Sequence, residues 1–271
     1  MWLCLSGRQF EVPGGISKTI DEFLAFAASV GYQGVELRTG HLSASTTDTE
    51  AERIAELLRE RGLRCSFCLG GEPGDPETTA QFRRVVDLAH TTGAFAVRCH
   101  GGSEANVERY REVADYAGER GIKVISQIHN GTLFETVPQC LAAMEHIAHP
   151  NYGVAFEASH LVMASQPEHG EEAVRALREH ILTVSVQAYK PYDESDCYGG
   201  PIGIHGKQWG ACLPGAPGSP DLMSVFRGLR GIGFDGPVTA MPGALPAGPS
   251  PEDQARIYHD TLEPLVAGST K

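Results

Sequence analysis

Residues 152–163 read "YGVAFEASHLVM": a short apolar run from Tyr152 to Phe156 ends in a carboxylate, Glu157, with an imidazole, His160, three residues on. The run has the length of a strand rather than of a helix. A carboxylate and an imidazole at the mouth of a buried strand point to a metal site or to proton transfer. Working outward, seven more such runs appear: "WLCLS" from Trp2, "GVELR" from Gly34, "RCSFCLG" from Arg64, "FAVRCH" from Phe95, "KVISQIH" from Lys123, "ILTVSVQA" from Ile181 and "PVTAM" from Pro237. Between them lie segments of helical spacing such as "SKTIDEFLAFAASVGY", "TEAERIAELLRERG" and "ANVERYREVADYAGERG", several stopped by the glycine that a helix C-terminus prefers. Strands alternating with helices predict the α/β class and a single (β/α)8 barrel, one domain over residues 1–271. In that fold the chemistry gathers at the C-terminal ends of the strands.

Composition narrows the partners. A chain of 271 residues with 41% hydrophobic content is long enough for one well-buried barrel core. The start, "MWLCLSGRQF", has no basic segment before a long apolar stretch, and no run nears the roughly 18 apolar residues of a membrane span, so a soluble, cytoplasmic protein without a membrane partner is expected. The net charge of -12, from 34 acidic against 22 basic residues, opposes a nucleic-acid backbone. A small-molecule substrate is the expected partner, with a homo-oligomer left open. The seven scattered cysteines read as reduced core thiols; Cys65 and Cys68, three apart on a strand, are expected on opposite faces and so unable to share a zinc. Two Gly/Pro-rich stretches, residues 191–220 and 242–250, follow the last two strands; the first, with little regular pattern, reads as a lid over the catalytic end.

The order "GYQGVELR", "KVISQIHNGTLFET", "YGVAFEASHLVM", "GLRGIGFDGPVTAMPG" resembles the xylose isomerase-like TIM-barrel superfamily over nearly the whole chain. The resemblance implies sugar phosphate isomerases and epimerases, inosose dehydratase-type lyases or endonuclease IV relatives. In the sugar epimerases it also implies a manganese or magnesium ion held by a Glu on strand five, an Asp on strand six, a His on strand seven and a Glu on strand eight. This sequence departs at all four positions, which hold Gln127, Glu157, Ser185 and Met241. Hard dications prefer oxygen anions, and one carboxylate with an amide, a hydroxyl and a thioether is a poor set for them. No metal or other cofactor is therefore expected; the remaining route to a divalent metal is an unconventional site of Glu157, His160 and His129.

Without a cation beside it, a carboxyl in an apolar barrel mouth has a raised pKa and is poised for acid/base work. Glu157, His129, His160 and His100 are the candidate catalytic groups. The opposing reading makes Glu157 a relic, hydrogen-bonded by His160 or by a backbone amide. Gln127 shares a strand face with His129, and Ser185 with Gln187; with Glu36, Arg38, His205 and Met241 they form the candidate substrate contacts. Glu36 and Arg38 read equally as an internal ion pair. His41, Tyr189, Lys190 and Trp209 lie on loops at the same end, whereas His90, His146, His149, His169, His180 and His259 fall on or beside helices and read as surface residues. No Lys/Arg cluster or phosphate-cradling helix start stands out, which favours a polyhydroxylated or keto substrate over a sugar phosphate. Three readings remain: a metal-independent isomerase, epimerase or lyase, which is preferred; a metal-dependent sugar isomerase or epimerase with rearranged ligands; and a non-catalytic barrel that binds a small molecule or a partner.

Overall fold

The computed structural model describes residues 1–166, 168–242 and 247–268. Each predicted apolar run forms a strand: β1 (Trp2–Ser6), β2 (Gly34–Leu37), β3 (Arg64–Gly71), β4 (Ala94–Cys99), β5 (Lys123–Gln127), β6 (Tyr152–Phe156), β7 (Ile181–Val186) and β8 (Pro237–Ala240). They pair in parallel around a closed barrel, β8 returning to β1. The principal helices are α1 (Ile20–Val30), α2 (Asp48–Glu60), α3 (Pro76–Thr92), α4 (Val107–Gly118), α5 (Val137–Ile147), the short α6 (Ala158–Met163) and α7 (Glu171–Ala176), α8 (Leu222–Gly231) and α9 (Pro251–Ala267). Thr19, Thr47 and Asp75 close capping boxes at the starts of α1, α2 and α3, and Gly31 and Gly93 end α1 and α3 in the left-handed conformation. No described helix is long and apolar enough to cross a membrane.

Strand alternation sorts the side chains into two cores. Val97, Val124, Val154 and Val184 point outward into the large core shared with the helices. Phe67, Ala96, Ile125, Ala155 and Met241 fill the barrel interior. That interior plug closes the lower barrel, so residues further along the strands meet at the open mouth.

Two local expectations are corrected. Cys65 and Cys68 do not point apart: their sulfurs lie 3.9 Å from each other, both in the outer core. The register between β2 and β3 shifts between Val35 and Leu37, and the extra residue of this irregularity turns Cys68 back to the face of Cys65. All seven cysteines are free thiols. The second correction concerns residues 191–220. Within and beside this stretch the chain forms a small antiparallel sheet of Tyr189–Pro191, Lys207–Ala211 and Ile202–Ile204, anchored where Tyr189 and Trp209 pack on Met163. Of the other Gly/Pro-rich stretch, residues 243–246 lie outside the described residues.

Candidate active site

The barrel mouth has two kinds of polar residue. On the β1 to β3 side the carboxylates are paired, although Gln9 Oε1 and His41 Nδ1 are buried without a partner among the described residues. Glu36, fully buried, accepts from the Ser6 hydroxyl and from Arg38 at 3.1 Å, and Arg38 in turn holds Glu11 at 2.7 Å. Glu72, just past β3, accepts from the Tyr110 hydroxyl, from the Asn106 amide at 2.7 Å and from the Gly102 backbone at 3.2 Å. Glu36 and Arg38 thus form the internal ion pair that the sequence left as one of two readings.

The β5 to β7 side is different. Glu157 follows β6 and caps α6, with Oε1 accepting from the backbone N–H groups of Ser159 and Gln187, both at 3.3 Å. Its Oε2 is buried with no partner among the described residues, and so are both amide atoms of Gln127, the Ser185 hydroxyl and Nε2 of His160. Unpartnered buried polar atoms are rare because each forfeits its hydration. Burial pushes the Glu157 carboxyl up to about 8, the two backbone donors, the nearby Arg8 charge and the Gln187 side chain only partly offsetting it. Burial also holds His160 well below the ordinary histidine range, helped by nearby His129, Arg8 and Arg98. At neutral pH the site therefore contains a protonated carboxyl and a neutral imidazole.

A hydrogen-bond network assigns the tautomer of that imidazole. The Asn130 amide nitrogen donates to Glu135 at 3.3 Å and to the His160 carbonyl at 3.1 Å, which leaves its oxygen to accept from His160 Nδ1 at 2.8 Å. His160 Nε2 then carries the lone pair, and it is this atom that is buried and unpartnered. His129 lies beside His160 with ring centres 4.1 Å apart and the planes tilted by 36°, and turns Nδ1 to the Asn130 carbonyl at 2.9 Å. Neither histidine hydrogen-bonds Glu157: the two imidazoles pair with each other and with Asn130, and the carboxyl with the Ser159 and Gln187 backbone. The network reaches the small antiparallel sheet, where His205, at the turn between two strands with φ 48°, pairs with Glu135 at 2.5 Å.

The other expected residues separate. His100 is exposed at the rim of a cavity of about 320 Å³ that it shares with Arg38, Glu72 and Arg98. Gln187 accepts from the Arg8 guanidinium, and Met241 belongs to the apolar plug. His41 stacks flat on Phe23 at 4.9 Å, Lys190 pairs with Asp196, and Tyr189 and Trp209 anchor the small sheet. Arg8, Arg98, Asn130 and Glu72 were missed. Arg98 had a readable signal: it alternates with Val97 and Cys99 along β4 and so had to face inward. The mouth is accordingly richer in cations than the sequence reading allowed.

The metal implied by the resemblance can be tested against these donors. Gln127, Glu157 and Ser185 offer one carboxyl, an amide and a hydroxyl, and the fourth position is filled by the Met241 thioether within the apolar plug. Among the described residues no three His, Cys, Asp or Glu side chains are gathered to hold an ion, and that includes Glu157, His160 and His129. The set does not fit a hard dication.

Residues 24–259 match the family model described as xylose isomerase-like TIM barrel. No curated protein matches the sequence. Among solved structures, a D-psicose 3-epimerase crystallised with D-fructose superposes with a TM-score of 0.76 at 15% identity, covering 99% of this chain and 100% of that one. A D-allulose 3-epimerase from Methylomonas sp. gives 0.73 at 17% identity, with 98% of each chain covered. The probable 3-DHS dehydratase AsbF of Bacillus anthracis, involved in petrobactin synthesis, gives 0.74 at 17% identity over 97% of this chain and 99% of that one. At these identities the superpositions establish the fold.

Proposed function

We propose that this chain, which belongs to the xylose isomerase-like TIM-barrel family, is an isomerase, epimerase or lyase that moves a proton beside the carbonyl of a small hydroxy-keto substrate without a divalent metal. The observation that carries this is the buried, unpartnered Oε2 of a carboxyl whose pKa is pushed up to about 8, at the same end of the barrel as the buried, unpartnered imidazole nitrogen of His160. The two groups have complementary protonation states at neutral pH. Similar folds in proteins named as 3-epimerases and as a probable dehydratase support the reaction class.

In this mechanism His160 Nε2 takes the proton from the carbon next to the carbonyl while Glu157 gives its proton to the carbonyl oxygen. The products of that step are an enediol, an imidazolium and a carboxylate. Delivery of the imidazolium proton to the former carbonyl carbon, with the Glu157 carboxylate taking the proton of the adjacent enediol hydroxyl, completes an isomerisation; delivery to the opposite face of the original carbon, after the enediol turns in the site and with Glu157 recovering the enol proton, completes an epimerisation. Alternatively, a β-hydroxyl leaves as water with the imidazolium proton, and the Glu157 carboxylate recovers the enol proton as the carbonyl reforms. Gln127 and Ser185 hold substrate hydroxyls with the polar atoms that the fold leaves unpartnered. The dry surroundings strengthen each of these interactions.

The test is solvent deuterium exchange, followed by proton NMR, with a panel of ketoses and keto acids. Wild-type protein is expected to wash out the proton next to the carbonyl, before and after EDTA treatment, and Glu157→Gln to be inactive. Activity lost to EDTA and restored by one divalent ion would overturn the metal-independent part. Full exchange by Glu157→Gln would remove Glu157 from the mechanism.

A further inference from the structure

Arg98 is the group at the mouth that the proton transfer does not use. Its neighbours Val97 and Cys99 lie in the outer core, so its side chain points into the barrel, where it lines the cavity of about 320 Å³ with Arg38, Glu72 and His100. Among the described residues nothing hydrogen-bonds its guanidinium, although burial lowers its pKa to about 10. The carboxylates nearby are committed elsewhere, Glu36 to Ser6 and Arg38, and Glu72 to Tyr110, Asn106 and Gly102. Arg8 adds a second guanidinium whose described contact is the neutral Gln187 amide. Glu36 acts on the half-buried Arg98 cation through its charge but makes no hydrogen bond to it, which leaves a planar guanidinium fork that matches a carboxylate.

We infer that the substrate carries a carboxylate and that Arg98 binds it. The inference rests on the proposed function in taking the barrel mouth as the reacting site, and it adds the substrate class: a small hydroxy-keto acid with its carboxylate at β4 and its reacting carbons toward Glu157. A phosphate monoester, with its greater charge, needs more donors than one free guanidinium. The backbone N–H groups at this turn are already used, His100 donating to the Gly71 carbonyl at 2.9 Å and Gly102 to Glu72 at 3.2 Å. The cavity suits a ligand of a few hundred Å³.

The test compares three probes that differ at one carbon: 2-keto-D-gluconate, D-fructose and D-fructose 1-phosphate. Binding is measured by calorimetry on wild type, Arg98→Met and Glu157→Gln. The keto acid is expected to bind wild type at least about tenfold tighter than either comparison, the usual weight of a charged hydrogen-bonded pair. Arg98→Met should abolish that preference and leave the thermal midpoint unchanged or raise it, because among the described residues the guanidinium it removes makes no hydrogen bond. Glu157→Gln should keep the preference. Equal or tighter binding of fructose or its phosphate, no binding of any probe at millimolar concentration, a preference that survives Arg98→Met, or a lowered midpoint would each overturn the inference. Loss of the carboxylate preference with proton exchange on neutral ketoses intact would leave the proposed function standing; a retained preference with exchange unaffected by Glu157→Gln would do the reverse.

Discussion

The two sides of the barrel mouth are built from similar residue types in opposite states. Around β1 to β3, Glu36, Arg38 and Glu72 have their hydrogen-bonding capacity met by neighbours. Around β5 to β7, Gln127, Glu157, His160 and Ser185 keep buried polar atoms without partners. A satisfied polar group is explained by the fold it stabilises, whereas an unsatisfied one costs about 1–3 kcal/mol and must be justified by something that binds. The paired side is scaffold and the unpaired side is the working surface. Arg98, on β4 between them, belongs by its lack of partners with the second.

The sharpest way to break this division is Glu157→Gln. The amide keeps the shape and can still accept from Ser159 and Gln187, so the fold should persist while proton exchange falls by about 10³, within the range for a general acid or base. The same substitution reads out the raised pKa. Between about 4.5 and about 8 the unfolded chain ionises Glu157 while the folded chain holds it protonated, so stability falls as pH rises through that window. Denaturation midpoints measured across this window should lose that component of the slope in Glu157→Gln, and a slope that is unchanged would show that the carboxyl is not held neutral.

Next in size is a break on the scaffold side. Glu36→Ala leaves the Ser6 hydroxyl and one arm of Arg38 buried without an acceptor and should destabilise the protein by about 3 kcal/mol in urea titration. Gln127→Met makes the opposite prediction: removing two unpartnered polar atoms at constant size should leave stability unchanged or raise it by about 1 kcal/mol, while exchange activity drops. If Glu36→Ala were harmless and Gln127→Met damaging to the fold, the comparison would be inverted. The smallest effect is expected from His205→Ala. The pair with Glu135 is half-exposed on the histidine side, so its loss should change stability by less than about 1 kcal/mol. Its effect should appear instead as faster proteolysis within residues 191–220.

The strands, their order and the inward carboxyl at Glu157 were legible because parallel strands buried on both faces leave continuous apolar runs, and a polar residue at the end of such a run is conspicuous. Gln127 and Ser185 entered through the resemblance, as the residues standing at the family's strand-five and strand-seven ligand positions, and through the strand faces they share with His129 and Gln187. The His160 tautomer was not legible, because it depends on Asn130 and Glu135, which lie beyond the strand end and gain meaning only through contacts across the mouth. The sulfur contact between Cys65 and Cys68 was misread because strict alternation fails at an irregular register. Arg8 sits on the turn after β1, where no periodicity assigns a direction to a side chain.

By itself the sequence determined the barrel and the chemical types delivered to its mouth, since burial pattern and residue identity are properties of the chain. Only the tertiary structure decided which of those groups found partners and which did not. Pairing depends on elements far apart in sequence meeting across the barrel, as Arg8 does with Gln187 and as Glu157 Oε2 does with no group among the described residues.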